Sequence, residues 1–279
     1  GGKQIGKIEG INVRIIQLPP QASEKAVEAL LKNNKHLKFA ERDMIVRPEG
    51  TANDTYYSSA WHLPKIGATT AWDVTTGANV VIAVLDTGVD AAHPDLAGRL
   101  VPGWNFYDNN SNSADVYGHG TLVAGSASAN TNNGIGVSSV AGDALIMPLR
   151  ISATDGTATF SNMARALTWA ADKGAHVANI SYQSVSGSST VASAAQYMKN
   201  KGGVTVVAAG NTGVEQTFAP SDTMISVSAT TSSDAMASWS SYGNYVDVAA
   251  PGSGIWTTKK GGGYGSANGT SFASPVTAA

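Results

Sequence analysis

The sequence contains an aspartate and a histidine, residue types that act together in acid–base chemistry, each within a short glycine-containing segment. Asp86 follows the apolar run 80–85 in VLDTGVD, so a strand would end at its carboxylate. His119 lies between two glycines in GHGTLVAG, where a helix of small residues begins. A carboxylate at a strand end can orient an imidazole while backbone amides keep it ionised. An Asp in DTG is also a common turn residue, and a histidine in the first turn of a helix is often structural.

A possible nucleophile and a possible anion-stabilising amide occur further along the chain. Ser271 lies in GTSFASP, at the start of the final helix, and Asn211 follows a buried strand in VTVVAAGN. A serine hydroxyl becomes a nucleophile only beside a general base, and at a helix N-terminus it is more commonly a cap. An Asn after a strand usually forms a turn, but its N–H can stabilise an oxyanion.

The segments that carry these residues predict an α/β fold for the larger part of the chain. Short apolar strands that alternate with helices are typical of a parallel sheet covered on both faces, with its site at the strand carboxyl ends. The predicted strands are Val80–Leu85, Ala144–Leu149, His176–Ile180, Val204–Ala208, Met224–Ser228 and Tyr245–Ala249. The predicted helices are 119–129, 161–173, 188–200 and one that starts near 270. Gly261–Gly263 is predicted to be a flexible loop.

Charge divides the 279 residues into two parts. Residues 1–49 carry nine Lys and Arg against six Asp and Glu, a net charge of +3. Residues 50–279 carry nine against 14, a net charge of −5. With 14% charged residues overall, against roughly 25% in an average protein, a nucleic-acid partner is not expected. The absence of Cys excludes disulfides and thiolate catalysis, and no apolar run approaches the roughly 18 residues of a membrane span.

The basic part predicts a small α+β unit. Residues 11–18 alternate as in a strand, and 22–32 have helical spacing with Ser23 as N-cap. A further pair of strands is predicted over 37–46 before Pro48. Roughly 50 residues are too few for a comfortable core of the unit's own.

Taken together, the order Asp86, His119, Asn211 and Ser271 with its flanking strings resembles the subtilase family of serine proteases, in a subtilisin-like or thermitase-like pattern. HPDLAG and YVDVAAPG extend the resemblance from about residue 51 to residue 279. It implies a subtilisin-like three-layer sandwich with a mostly parallel sheet over 50–279. The implied activity is that of a serine endopeptidase that forms an acyl-enzyme on Ser271.

The resemblance also implies roles for particular residues. His119 would act as general base, Asp86 would hold its tautomer, and Asn211 with the Ser271 N–H would bind the oxyanion. A polypeptide substrate would add a strand between two segments, 181–183 and 156–158. The residues implied in substrate binding are Gly156, Thr157, Ala158, Ser181, Tyr182, Gln183, Ala208 and Gly210. Because SYQS stands where the family generally has SLGG, the preference for the residue before the scissile bond is open.

Calcium is the cofactor that the resemblance implies, since hard cations take carboxylate, amide and carbonyl oxygens. The implied ligands of a structural site are Asp54, Asp95, Asn130, Asn133, Ile135 and Val137. The same loop could also be a plain Asn-rich turn. A second, weak or empty site would use Asp108 and Asp115.

Residues 1–49 resemble the second half of the family's inhibitory prodomain, which is an intramolecular chaperone and inhibitor. The resemblance implies secretion to the extracellular space and cleavage near Val46–Thr51. The chain looks cut at both ends, with the catalytic unit C-terminally incomplete.

Three alternatives compete with a catalytic subtilase. An aspartic protease would need a second DTG-like motif, and none occurs in the sequence. A non-catalytic protein of the same fold, or an inactive zymogen-like fragment, would retain the pattern without turnover.

Overall fold

The computed structural model describes residues 2–43 and 52–279. The chain divides into two units, Gly1–Pro48 and Glu49–Ala279. The division coincides with the change in charge density along the sequence. The predicted cleavage segment Val46–Thr51 lies outside the described residues.

The N-terminal unit consists of an antiparallel hairpin and a helix. Its elements are β1 (Lys3–Ile8), β2 (Val13–Gln17) and α1 (Glu24–Lys32). Ser23 caps α1, because its hydroxyl accepts a hydrogen bond from Ala26 N at 3.3 Å. The strand β1 was missed, since KQIGKI has a single apolar–polar alternation. The strands predicted over 37–46 are wrong for residues 37–43, which form no strand, and the remainder lies outside the described residues.

The larger unit is built on a parallel sheet. Its strands are β3 (Val81–Asp86), β4 (Trp104–Asn105), β5 (Leu145–Arg150), β6 (Val177–Ile180), β7 (Val204–Ala208), β8 (Ile225–Thr230) and β9 (Val248–Pro251). They are hydrogen-bonded in the order β4-β5-β3-β6-β7-β8-β9, and every pair is parallel. The chain therefore leaves β3 toward β5 on one side and β6 on the other, which makes the carboxyl end of β3 a topological switch point.

Helices and a hairpin complete this unit. The helices are α2 (His62–Lys65), α3 (Ala68–Ala71), α4 (His119–Ser128), α5 (Phe160–Asp172), α6 (Ser189–Asn200) and α7 (Thr270–Ala278), and the hairpin strands are β10 (Ile255–Lys259) and β11 (Gly263–Ala267). No helix among the described residues is long and apolar enough to span a membrane.

Alternate side chains of β3 enter different hydrophobic clusters. Ala83 and Leu85 pack with residues of α5 and α6, whereas Ile82 and Val84 pack with residues of α4. Helices thus cover both faces of the sheet, which is why the strand is apolar without interruption. The predicted three-layer α/β sandwich with a mostly parallel sheet is confirmed.

Five predicted strands end within two residues of their observed limits, and the sixth is wrong. Tyr245–Ala249 was predicted as a strand, but β9 begins only at Val248. Tyr245 is a buried loop residue whose hydroxyl donates to Ala209 O at 2.8 Å. Its apolar character reflects packing of the loop rather than strand pairing.

The predicted flexible loop at Gly261–Gly263 is the turn of the β10–β11 hairpin, with Gly263 already in β11. Gly261 and Gly262 have φ of 89° and 84°, which only glycine adopts easily. The hairpin packs on α4, where Thr257 Oγ1 donates to Leu122 O at 2.6 Å. Thr258 Oγ1 donates to Thr121 O at 2.7 Å. The hairpin was not predicted, because the anchoring hydroxyls lie outside the glycine run.

Gly125 allows this close packing and supplies a test of it. A Cβ at this position would lie 2.6 Å from Thr257 Oγ1 and in direct collision with Thr258. We predict that Gly125→Ala lowers the free energy of unfolding by about 1–3 kcal/mol, the usual cost of overpacking. Thermal unfolding should show a lower Tm, while the control Gly263→Ala, whose added Cβ would meet only Lys259 Cβ at 3.8 Å, should change Tm little. An unchanged Tm for Gly125→Ala would contradict the packing described.

Candidate active site

Asp86 is the last residue of β3, and its side chain is buried at the topological switch point. Its Oδ1 accepts a hydrogen bond from Thr87 N at 2.7 Å. Backbone donation of this kind stabilises the ionised form of a carboxylate. A buried, hydrogen-bonded carboxylate therefore lies at the carboxyl edge of the sheet.

His119 is the first residue of α4 and faces this carboxylate. Its Nδ1 lies 2.8 Å from Asp86 Oδ1 and 3.0 Å from Oδ2. Gly120 makes the approach possible, since a Cβ there would stand 3.1 Å from Asp86 Cβ and collide with Gly88 O. Gly118 has a φ of 109°, a conformation that favours glycine. The glycines on both sides of His119 are therefore required by the geometry.

Ser271 lies in the first turn of α7, against the end of β6. Its hydroxyl donates to Ser181 O at 3.2 Å, and the Ser181 hydroxyl donates to Ser271 O at 2.9 Å. The next residue, Phe272, has its ring centroid 6.0 Å from that of His119. Within residues 52–279, Ser271 and His119 share no hydrogen bond. Catalytic hydrogen bonds are often unmade in unliganded structures.

Asn211 is held by Thr270, which was not predicted as a site residue. Asn211 Oδ1 accepts hydrogen bonds from Thr270 N at 2.8 Å and from Thr270 Oγ1 at 2.9 Å. Thr270 Oγ1 also accepts from Gly210 N at 3.1 Å. Because the amide oxygen of Asn211 is occupied, its nitrogen is the group left to donate, and it lies beside Gly269.

Asp115 is a second buried carboxylate that holds the first turn of α4. Its Oδ1 accepts from Thr87 Oγ1 and Gly118 N, both at 2.7 Å, and its Oδ2 accepts from Thr121 N at 2.9 Å. The predicted use of Asp115 in a second cation site does not account for these contacts. The sequence does contain a signal for this role of Asp115. An acidic residue just before a helix N-terminus stabilises the helix.

The pKa of His119 is raised above its ordinary value. Burial alone lowers it, but the negative charge of Asp86, the hydrogen bond from Nδ1 to that carboxylate, and the charge of Asp115 together outweigh burial. The imidazolium is therefore stabilised in place. This is the environment of a base that must hold a proton temporarily.

Six of the residues predicted to bind substrate lie on two segments, 156–158 and 181–183, and Ser181 of the second segment is hydrogen-bonded to Ser271. Tyr182 joins the segments, because its hydroxyl donates to Gly156 O at 2.9 Å. Thr157 is held by Asp155, and Ala158 pairs with Ser152. Burial raises the pKa of Tyr182, so its hydroxyl remains a donor at all working pH values.

Gln183 stands across from Gly210. A Cβ built on Gly210 would lie 3.6 Å from Gln183 Cβ, so little space separates the two. Ala208 ends the buried strand β7 just before this contact. The family's glycine would leave this gap wider, which makes Gln183 a candidate for restricting the side chain accommodated there.

The two carboxylates predicted to bind calcium meet at the loop 130–137. Asp54 accepts hydrogen bonds from the backbone N–H groups of residues 132 and 133 at 2.8 and 2.9 Å. Asp95 accepts from Asn133 Nδ2 and from Val137 N, each at 2.8 Å. Three carbonyls of the loop accept no hydrogen bond within the described residues, those of Asn130, Ile135 and Val137.

A buried polar pair ties β6 to α7 and was also missed. Asn179 Oδ1 accepts from Ser274 Oγ at 2.6 Å, and Asn179 Nδ2 donates to Ser181 Oγ at 2.9 Å. All three side chains are buried. A polar residue inside an otherwise apolar strand was the available signal, because a buried amide needs partners.

Comparison with known proteins decides the family. The family model described as "Subtilase family" matches residues 77–279. The chain belongs to the subtilase family. Among its relatives, the thermophilic serine proteinase of Bacillus sp. (strain AK1) is 42% identical over 90% of this chain and 64% of its own length. Thermitase of Thermoactinomyces vulgaris is 44% identical over 81% of this chain and 82% of its own length.

Solved structures agree with this assignment. A protease of Pseudoalteromonas arctica PAMC 21717 superposes with a TM-score of 0.74 at 30% identity, covering 82% of this chain and 85% of that one. A cold-adapted subtilisin-like serine proteinase superposes with a TM-score of 0.65 at 34% identity, covering 73% of this chain and 74% of its own. The predicted family, fold and enzyme class, that of a subtilisin-like serine endopeptidase, are confirmed.

The position of Asp115 generates a prediction about pH dependence. A histidine base is active when neutral, so activity rises as pH increases through its pKa. Asp115→Asn removes a negative charge that raises the pKa of His119. The acidic limb of the kcat/KM profile should therefore move to lower pH. The control Asp172→Asn, at an exposed carboxylate paired with Lys201, should leave the limb in place, and a limb that moves upward in Asp115→Asn would contradict the assignment.

Proposed function

We propose that this subtilase hydrolyses peptide bonds within polypeptides through an acyl-enzyme on Ser271. The observation that carries the proposal is the hydrogen bond from His119 Nδ1 to the buried carboxylate of Asp86, with Ser271 in the adjacent helix turn. Nδ1 is then the protonated nitrogen, which leaves Nε2 as the lone-pair base.

Each of these residues acts in a distinct step of the proposed hydrolysis. The Ser271 hydroxyl rotates away from Ser181 O, and His119 Nε2 takes its proton as Oγ attacks the scissile carbonyl carbon. The same proton passes to the leaving amine when the C–N bond breaks. A water molecule then repeats the sequence on the ester and releases the acid. Asp86 stabilises the imidazolium throughout and does not itself become protonated.

Two N–H groups are available for the negative oxygen of the tetrahedral intermediate. Asn211 Nδ2 is free to donate because Thr270 occupies the amide oxygen. Ser271 N belongs to the first turn of α7, where backbone N–H groups have no partner within the helix. A lost donor of this kind costs about 2.7–4 kcal/mol of transition-state stabilisation in subtilisin, and a similar loss is expected for Asn211→Ala.

An extended substrate would bind between residues 156–158 and 181–183 by adding a strand. The narrow gap between Gln183 and Gly210 supports a preference for small side chains before the scissile bond.

We predict that Ser271→Ala, tested on casein, loses nearly all turnover. The reason is that no other group takes the place of the nucleophile. A fluorophosphonate probe should label the unaltered protein and not the variant. The matched control Ser193→Ala, an exposed serine of α6, should keep both activity and labelling. Residual casein hydrolysis in Ser271→Ala would contradict the mechanism, and an unlabelled wild-type protein would favour the non-catalytic alternative.

Calcium is proposed as a structural cofactor at the loop 130–137. The described residues hold no cluster of three or more His, Cys, Asp or Glu, so a cation here would depend on carbonyl and amide oxygens as well as on Asp54 and Asp95. The unpaired loop carbonyls suit a hard cation. Burial and the neighbouring charge of Asp54 raise the pKa of Asp95. Burial and the charge of Asp95 raise the pKa of Tyr264 to about 12.

Burial is the larger cause of both pKa shifts, and the neighbouring carboxylate charges, which a bound cation would offset, add to it. We predict that EGTA lowers the Tm of the protein and that added Ca²⁺ restores it. Asp54→Asn should remove most of this response. The control Asp234→Asn, at an exposed surface pair with Lys65, should retain it. A Tm that does not change with EGTA would contradict the proposal of a structural calcium ion.

The N-terminal unit is proposed to be part of an inhibitory prodomain and folding chaperone, with residues 1–49 preceding the catalytic unit. The unit buries no side chain fully among its described residues, and its apolar residues such as Ile5, Ile16 and Leu30 are exposed. A domain with so little core of its own is stabilised by a partner surface. Secretion to the extracellular space is proposed with it, since such prodomains accompany secreted proteases.

A further inference from the structure

A cavity of about 460 Å³ opens beside the imidazole of His119, outside the residues assigned above to substrate binding. Its walls come from the N-terminal part of α4 and from the end of β10. The lining residues are Tyr117, Gly118, His119, Leu122, Lys259 and Lys260. The cavity therefore shares the catalytic imidazole but none of the segments 156–158 and 181–183.

The two lysines of this cavity differ from the other cations of the unit. Five of the nine Lys and Arg in residues 50–279 form ion pairs: Lys65, Arg99, Arg150, Lys199 and Lys201. Arg165 bonds to oxygens of Phe106 and Asn162, and Lys173 lies over the ring of Trp169. Within the described residues, Lys259 and Lys260 make no such contact. Two uncompensated positive charges thus stand together on a unit whose net charge is −5.

The carboxylates around the cavity are already engaged. Asp90, next to the hairpin turn, accepts hydrogen bonds from Gly261 N at 2.8 Å and from Ala92 N at 3.0 Å. Asp86 and Asp115 are buried beneath α4 and saturated by its donors. Both lysines are exposed and line the cavity, and the end of the Lys259 side chain lies over Gly265 of β11. Within the described residues, an incoming carboxylate would meet no competing ion pair.

The position of the cavity relates it to one side of the scissile bond. The acyl part of the substrate is assigned to the two segments near Tyr182 and Gly156, which do not line the cavity. The hairpin that carries the two lysines instead leads through β11 directly to Ser271. The cavity borders the first segment only at its edge, where the Tyr117 ring lies beside Gly156. The leaving-group part of the substrate is the part that can reach it.

We propose that this cavity is a subsite for an acidic side chain on the leaving-group side of the scissile bond, with Lys259 and Lys260 as its specificity-determining residues. This inference rests on the proposed peptidase function. Exposed ion pairs are individually weak, so a Glu among the first three residues after the scissile bond should raise kcat/KM about 1.5- to 5-fold over Gln. The effect should shrink as ionic strength increases.

Internally quenched fluorescent peptides of one sequence, with Glu, Gln or Lys at each of those three positions, test the proposal. The wild-type protein should favour Glu over Gln at one position at least. In Lys259→Glu/Lys260→Glu the preference should invert in favour of Lys. The matched control Lys199→Glu/Lys201→Glu, which makes the same change of charge at the C-terminal end of α6, should keep the wild-type preference.

A binding measurement distinguishes an incorrect subsite assignment from an absence of catalysis. The same peptides, measured by fluorescence anisotropy with the Ser271→Ala protein, should bind more tightly with Glu than with Gln. Absence of cleavage of every peptide would refute the peptidase function, while the anisotropy comparison would still decide on the subsite. A Glu-to-Gln ratio near one in both measurements, or a ratio that persists in Lys259→Glu/Lys260→Glu, would overturn the proposal.

Discussion

The buried hydrogen bond between Asp86 and His119 is the interaction on which the rest of the catalytic unit depends. A carboxylate that is fully removed from water is costly unless donors surround it, and here Thr87 N and the imidazole supply them. To bring the imidazole there, α4 must approach β3 more closely than a side chain at residue 120 would allow. Gly120 is therefore as necessary to the arrangement as the charged pair itself.

Polar contacts position the remaining groups once this pair is in place. Asp115 holds the first turn of α4, Thr270 orients Asn211, and Asn179 joins β6 to α7 through Ser274. Each of these side chains except Asn211 is buried, so the loss of one would leave its partner without a hydrogen bond. A unit with only about a tenth of its residues charged thus builds its site largely from neutral hydroxyl and amide groups joined to two buried carboxylates.

The parallel sheet of the catalytic unit was predictable because strands buried on both faces appear in the sequence as uninterrupted apolar runs. The run that ends at Asp86 and the run that ends at Ala208 were located from apolar residues alone. Tyr245 misled the prediction, since a buried loop aromatic resembles a strand residue in sequence. The β10–β11 hairpin was missed because its pairing depends on Thr and Gly residues, whose contacts with α4 are distant in sequence.

By itself, the sequence determined which residues are candidates for chemistry, since Asp86, His119, Asn211 and Ser271 each follow a strand or begin a helix. Local pattern carries that information because strand ends and helix starts are local features. Only the tertiary structure decided how these groups are held: that Thr270 occupies the oxygen of Asn211, and that Ser271 donates to Ser181 rather than to His119. It also decided that, within the part of the chain that the structure describes, two lysines beside the imidazole have no ion pair. Such relations join residues far apart along the chain, and they arise only when distinct elements pack together.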